Sequence, residues 1–142
     1  MRRYLVVANQ TLLGDQLLVR IQECLAAGPC QFHLVVPATH APGRAMQTES
    51  RDRAYAAERL REGLERFRAL GVEVEGEVGD ARPLDAIRDV MLHAPPFHEI
   101  IVSTLPLGLS RWLHQDLPHR IHRAFELPTS TVTARSGMKV AS

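Results

Sequence analysis

The stretch Glu99 to Arg123, EIIVSTLPLGLSRWLHQDLPHRIHR, decides the fold of this chain. It begins with the short apolar run Ile100–Val102, which is typical of a buried strand. It continues through a loop from Ser103 to Gly108 and enters an amphipathic helix. A strand, a loop and a helix N-terminus in this order can form an anion site, because exposed backbone N–H groups and the helix dipole both favour negative charge. The question is whether this loop keeps the residues that such a site needs.

The same alternation of apolar runs and helical periods extends over the whole chain. Strands are predicted within residues 4–8, 32–36, 72–78, 100–102 and 130–134, and helices from Asp15, from about Ser50 to Leu70, from Pro83 and from about Trp112 to Phe125. This order predicts an α/β, single-domain, three-layer Rossmann-like fold with a five-stranded parallel sheet, order 3-2-1-4-5, and four helices. The domain spans 1–142, with a core over 3–134 and a tail, 135–142, expected to be frayed.

Some local features follow from the same pattern. Asp15 is predicted to cap the first helix. The second helix is predicted to bury one stripe of apolar residues: Tyr55, Leu60, Leu64 and Phe67. The third strand alternates with period two, which indicates a position near the sheet edge. The segment 37–49 is too long for a plain connector, and both a linker and a ligand-covering loop stay open for it.

Composition excludes several classes of function. The chain has 142 residues and a net charge of +1, so its overall charge is too small to attract nucleic acid or an anionic membrane. No apolar run approaches the ~18 residues that cross a bilayer. Cys24 and Cys30 lack the C-x-x-C spacing of zinc and redox sites and are read as reduced thiols. With no signal peptide at Met1–Tyr4, we expect a cytoplasmic protein.

Several local motifs, in this order, make the chain resemble the universal stress protein family. They are YLVVANQT at residues 4–11, FHLVVPA at 32–38, VEVEGEVGDARPLDAI at 72–87 and HEIIVSTLPLGLSRWL at 98–113. The resemblance covers nearly all of residues 3–134 and implies a five-stranded nucleotide-binding-type α/β fold. Family members fall into two groups, one that binds ATP through a G-x-x-G-x9-G-[ST] motif after the fourth strand and one that lacks this motif.

The ATP motif is absent here. With the fourth strand aligned, its glycines fall at Val102, Leu105 and Gln115, and its hydroxyl residue falls at Asp116. Glycine lets phosphate oxygens approach the backbone closely, whereas Leu105 places a branched side chain there. Only Gly108, in the variable middle of the motif, is similar to the family's glycine-rich loop.

Asp116 gives a second argument against ATP. Pro118 suits the first turn of a helix, so Asp116 or Leu117 lies near the N-cap. We hypothesise that the Asp116 carboxylate caps this helix itself and occupies the anion position; an ordinary cap is the simpler alternative. Either arrangement would repel a triphosphate, by ~1 to 4 kcal/mol for two unit charges ~4 Å apart.

A nucleotide or small anion still has candidate partners. The resemblance implies that Asn9 stands where the family often has an acidic residue near adenine. The candidate cleft is formed by six residues: Asn9, Val36, Thr104, Gly108, Ser110 and Arg111, the last as counter-charge. The alternative is that Ser103 and Thr104 satisfy the loop backbone, Ser110 caps the turn at Trp112, and Arg111 is solvated.

Catalytic and metal sites are not indicated. No nucleophile elbow, Walker A sequence or G-x-G-x-x-G is present. His119 and His122 follow His114 and Asp116, but zinc needs three or four converging ligands, and a solvated basic face with Ile121 inward fits better. His93 and His98 are expected to be exposed. The arginines of the second helix interleave with glutamates, which predicts an outer face laced with ion pairs.

The favoured function is therefore a non-catalytic, stress-associated binding or regulatory protein with a degenerate ATP site and no cofactor. The alternative is an adenine-nucleotide (ATP or AMP) binding stress protein with an altered phosphate loop. A small hydrolase or transferase on the same fold is less favoured. The fifth strand is predicted at the sheet edge, and the resemblance implies a homodimer through Thr129–Ala134.

Overall fold

The computed structural model describes residues 1–39, 49–106 and 110–134, with Arg111 and His114 described by their backbone alone. The predicted tail, most of the 37–49 loop and Gly108 therefore lie outside the described residues. Strands and helices alternate in the order β1 (Arg2–Val7), α1 (Asp15–Ala27), β2 (Cys30–Pro37), α2 (Glu49–Ala69), β3 (Val74–Gly79), α3 (Pro83–His93), β4 (Glu99–Thr104), α4 (Arg111–His114), α5 (Leu117–Phe125) and β5 (Thr129–Thr133).

All five strands form one parallel sheet in the order β3-β2-β1-β4-β5, which confirms the predicted topology. β3 and β5 lie at the two edges, as the sequence pattern indicated. The strand order reverses between β1 and β4, whose registers pair Val7 with Val102. In open parallel sheets, the crevice for a ligand lies beyond the carboxyl ends of the strands at this reversal.

The sheet separates two apolar cores. On one face, side chains such as Val6 and Ile101 pack with Leu17 and Ile21 of α1 and Phe67 of α2. On the other face, Val7 and Val102 pack with Ile87 of α3 and Ile121 of α5. Successive residues of β4 therefore point to opposite faces, as the strand pleat requires. The even-numbered β4 residues face α3 and α5.

A close approach at Gly79 fixes the start of α3. A Cβ at this position would lie 2.6 Å from the Cβ of Ala86 and 3.0 Å from Cγ2 of Val35. Glycine is required because any side chain here would meet the helix. The first turn of α3 consequently lies against the carboxyl end of the sheet.

The fourth predicted helical region is present but broken. α4 ends at His114 and α5 begins at Leu117, and Asp116 between them adopts a left-handed conformation with φ of 55°. Pro118 lies in the first turn of α5, where the missing N–H costs no helical hydrogen bond.

Two local predictions were wrong. Gly14, not Asp15, is the N-cap of α1, and Asp15 is its first helical residue, where a carboxylate still favours the helix dipole. In the predicted stripe of α2, Tyr55 is 42% exposed, whereas Phe67 is buried and Leu60 and Leu64 pack against the core as predicted. Ala56 and Gly63 are the other buried residues of α2. None of the described helices combines the length and the apolar character that a membrane crossing requires.

Candidate functional site

A cavity of about 820 Å³ opens at the carboxyl end of the sheet. Its described lining residues form five groups: 9–11 after β1, Thr39 after β2, 81–85 and Arg88 at the start of α3, 103–105 at the end of β4, and the residues Ser110, Trp112, Gln115, Leu117 and Arg120. The cavity therefore lies where the strand order reverses, as expected for a ligand site in this topology.

Hydroxyl groups form the floor of the cavity. Thr11 and Ser103 share a hydrogen bond of 2.6 Å between their side-chain oxygens, and both residues are buried. Ser110 accepts a 3.0 Å hydrogen bond from the backbone N–H of Leu113, so it caps α4 as predicted in the simpler alternative. These three hydroxyls are engaged within the protein.

Thr104 differs from the other hydroxyl residues. It is 2% exposed, and its Oγ1 has no hydrogen-bond partner among the described residues. Buried polar groups are nearly always hydrogen-bonded, and an unpaired hydroxyl costs stability. Its backbone carbonyl, by contrast, accepts a 2.9 Å bond from Ala134 N–H. Thr104 lines the cavity, and rotation of its side chain would bring this unpaired hydroxyl to a ligand there.

Charged groups lie on the side of the cavity formed by α3 and α5. Arg82, Arg88 and Arg120 are all exposed, and Asp85 is the acidic residue among the described lining residues. Asp85 accepts a 3.0 Å hydrogen bond from Arg88 and lies 3.9 Å from Arg82. Together these four side chains give the described lining of the cavity an excess of positive charge.

Asn9 lies in the cavity wall, but its amide is used within the protein. Nδ2 donates to the carbonyl of Pro37 at 2.7 Å and to Oγ1 of Thr39 at 3.0 Å. Oδ1 accepts a 2.9 Å hydrogen bond from Arg59 of α2. Both amide hydrogens are therefore used, and only one lone pair on Oδ1 is left for a ligand.

The structure brings together some of the residues that the sequence indicated. Asn9, Thr104 and Ser110 all line the cavity. Val36 does not line it: this residue is fully buried in the core on the α1 and α2 face. Gly108 lies outside the described residues, and of Arg111 only the backbone, at the start of α4, is described.

The hypothesis that Asp116 caps α5 was wrong. Asp116 occupies the N-cap position, but its side chain makes no capping hydrogen bond. It is exposed and does not line the cavity, whereas its neighbours Gln115 and Leu117 do. The left-handed backbone turns the carboxylate away from the N–H groups of the first turn, because side-chain capping requires an extended N-cap residue. Asp116 therefore does not occupy the anion position.

The contribution of α3 and α5 to the cavity was not predicted from the sequence. Arg82, Arg88 and Arg120 lie outside the loop to which the family motif directs attention. The signal that could have found them is the Gly79-Asp80 turn followed by Pro83, which places the start of α3 at the same edge of the sheet as the β4 loop.

In α2, Arg61 pairs with Glu58 and Glu65 as predicted. Other arginines of this helix turn inward: Arg59 donates to Asn9 and Arg66 donates to the carbonyl of Leu13.

Other reactive groups lie away from the cavity. Cys24 and Cys30 are buried free thiols, and desolvation raises the pKa of both, which keeps them protonated and unreactive at neutral pH. His93 and His33 each approach Oε2 of Glu77 at 2.8 Å, and the hydrogen bond to Glu77 raises the pKa of His93. Within residues 1–39, 49–106 and 110–134, no three His, Cys, Asp or Glu side chains are placed to hold a metal ion.

Universal stress proteins are among the solved structures that share this architecture. An Arabidopsis thaliana universal stress protein family protein, crystallised with AMP bound, matches with a TM-score of 0.65 at 13% identity, over 100% of this chain and 99% of that one. A universal stress protein from Archaeoglobus fulgidus matches with a TM-score of 0.55 at 15% identity, over 93% of each chain. No protein-family model and no curated protein matches the sequence. The similarity is therefore one of architecture, and this chain has the fold of the universal stress proteins.

Proposed function

We propose that this chain is a non-catalytic, stress-associated binding protein whose cavity takes a nucleoside monophosphate such as AMP. The observation that carries the proposal is the unpartnered hydroxyl of Thr104 in the wall of an 820 Å³ cavity. Sites for small ligands commonly measure ~300–1,000 Å³ and present a few polar groups in a mostly apolar wall. Leu84, Leu105 and Trp112 provide apolar lining here.

The choice of a monophosphate over MgATP has two supports. The positions of the family's glycine motif are occupied by Val102, Leu105, Gln115 and Asp116, so no glycine cradle is available at them for a triphosphate. The Arabidopsis structure with the same fold contains AMP. We therefore regard the ATP site as degenerate and the cavity as suited to a smaller phosphorylated ligand.

The lining favours binding over catalysis. Among the described lining residues there is no histidine or cysteine, and Asp85 is paired with arginine. The Thr11 and Ser103 hydroxyls bond to each other, with no base beside them in the described part of the chain. A nucleophile needs an adjacent base or a lowered pKa, and neither accompanies these hydroxyls. Ligand-dependent regulation is the role that remains.

Self-association and cellular location complete the proposal. β5 pairs with β4 alone among the described strands, so its outer edge can pair with a second copy to form a homodimer. The free thiols of Cys24 and Cys30 suit the reducing cytoplasm.

Native mass spectrometry of the purified protein titrated with AMP or MgATP tests the proposed ligand. We expect one AMP per chain and much weaker retention of MgATP. Ala81 is exposed at the cavity, so Ala81→Trp places an indole in its mouth and should abolish AMP retention. The matched control, Ala57→Trp on the exposed side of α2, should retain AMP. Equal retention by both variants, or no AMP adduct on the wild type, would overturn the proposal.

A further inference from the structure

The charges around the cavity are distributed unevenly. The described lining residues after β1, β2 and β4 are all uncharged, and every charged side chain among the described lining residues belongs to the start of α3 or to α5. Three of these charges are arginines and one is Asp85. One wall of the cavity, formed by α3 and α5, is therefore positively charged, and the wall formed by the strand ends is neutral.

Thr104 faces the same side. Ile100 and Val102, which precede it in β4 at intervals of two, both pack in the core beneath α3 and α5. Side chains alternate along a strand, so Thr104 points toward this face of the sheet, whereas Ser103 points to the other face and bonds Thr11. The unpartnered hydroxyl and the arginines thus belong to one half of the cavity.

Arg88 and Arg120 are placed to bind an anion. Arg88 donates from one guanidinium nitrogen to Asp85, and its guanidinium carbon lies 5.9 Å from the ring centroid of Phe125 in α5. This position lies between the two helices. Arg120, in the first turns of α5, has no ion pair or side-chain hydrogen bond within the described part of the chain. Guanidinium groups bind phosphate with paired, charge-assisted hydrogen bonds.

We propose that Arg88 and Arg120 bind the phosphate of the ligand between α3 and α5, and that the phosphate does not lie on the loop after β4. This inference rests on the proposed function and adds where the anion binds and what selects it. The ligand then lies with its phosphate on the arginine side and its nucleoside toward the neutral wall. Thr104 donates its hydroxyl hydrogen to an oxygen of the ligand.

Asp85 weakens this site. Its carboxylate pairs with Arg88 at 3.0 Å and competes with phosphate for the same guanidinium. The pair is partly exposed, so the competition is modest. Removal of this carboxylate should therefore strengthen phosphate binding, an effect opposite in sign to removal of either arginine.

Titration calorimetry with AMP and with adenosine tests the arrangement. Arg88→Gln and Arg120→Gln should each weaken AMP binding about tenfold or more, because each removes charge-assisted hydrogen bonds, and should leave adenosine binding unchanged. Asp85→Asn should tighten AMP binding about two- to fivefold. The matched control is Arg123→Gln, an exposed arginine of α5 that does not line the cavity; it should change neither affinity.

The outcomes separate this inference from the proposed function. If AMP binds the wild type and both arginine variants bind it equally well, the phosphate lies elsewhere and this inference is overturned while the proposed function stands. An equal loss of AMP and adenosine binding would assign the arginines a structural role and would also overturn it. If AMP does not bind the wild type at all, the proposed function itself fails.

Discussion

Thr104→Val should make the protein more stable and a poorer binder. The substitution replaces the unpartnered hydroxyl of a 2% exposed residue with a methyl group of the same shape. A buried hydroxyl without a partner costs ~1–3 kcal/mol, and valine suits a strand as well as threonine does. We expect a gain of ~1–2 kcal/mol in the free energy of unfolding, or a rise in melting temperature of about 3 to 6 °C. Loss of a hydrogen bond to the ligand should weaken AMP binding by about 2- to 12-fold.

Thr11→Val is the matched control for this prediction. The Thr11 hydroxyl bonds Ser103 at 2.6 Å, so the same chemical change here leaves the buried Ser103 oxygen without its partner. We expect a loss of ~1–2 kcal/mol, opposite in sign to the effect at Thr104. Urea unfolding of the ligand-free proteins, followed by circular dichroism, measures both. A neutral or destabilised Thr104→Val variant, beside a destabilised Thr11→Val variant, would show that the Thr104 hydroxyl is hydrogen-bonded in solution and that no unpaired hydroxyl is removed.

Three further predictions concern stability and assembly. Because Glu77 raises the pKa of His93, the protonated pair stabilises the fold fully below the ordinary histidine pKa of about 6.5, and this stabilisation is lost as the pH rises through the raised pKa. The urea concentration at the unfolding midpoint should therefore be lower at about pH 8 than at about pH 6, and this difference should be smaller in Glu77→Gln. Glu126 has a φ of 54°, so Glu126→Gly should raise the unfolding free energy by ~1 kcal/mol in chemical denaturation, and a similar gain in Glu126→Ala would argue against backbone strain. Ala134 donates its backbone N–H to β4, so by alternation along β5 the N–H of Thr131 points to the outer edge of the sheet. Light scattering should show a dimer for the wild type and for Thr131→Val, and a monomer for Thr131→Pro, because proline lacks the N–H that edge pairing uses. A dimeric proline variant would exclude edge pairing.

The topology could be predicted because it depends on patterns that are local in sequence. Apolar runs such as Ile100–Val102 mark strands buried on both faces, and their alternation with amphipathic segments leaves few arrangements besides a parallel sheet. The start of α5 was predicted from Pro118, which placed a helix N-cap at Asp116 or Leu117, and Asp116 is the N-cap. The apolar periodicity from Trp112 to Phe125 is nearly continuous, so the sequence did not show that α4 is a separate short helix or that Asp116 adopts a left-handed conformation.

The site was predicted only in part because its residues meet through tertiary structure. Thr104 and Ser110 lie next to the strand that the sequence singles out, so their place at the cavity could be inferred. The role of Asn9 depends on Arg59, 50 positions away in sequence, which occupies its carbonyl oxygen. The position of the arginines depends on how closely α3 approaches β3 at Gly79, a tertiary contact for which the Gly79-Asp80 turn and Pro83 are the local signal. The family motif concerns the loop after β4, whereas the charged side chains described at the cavity belong to α3 and α5.

Isothermal titration calorimetry of nucleotide-free protein with AMP tests whether this cavity is a nucleoside monophosphate site. We expect one AMP per chain with a dissociation constant of about 1 to 100 µM, and an affinity for MgATP at least about tenfold weaker. No heat of binding with AMP at millimolar concentration, or MgATP binding tighter than AMP, would contradict it.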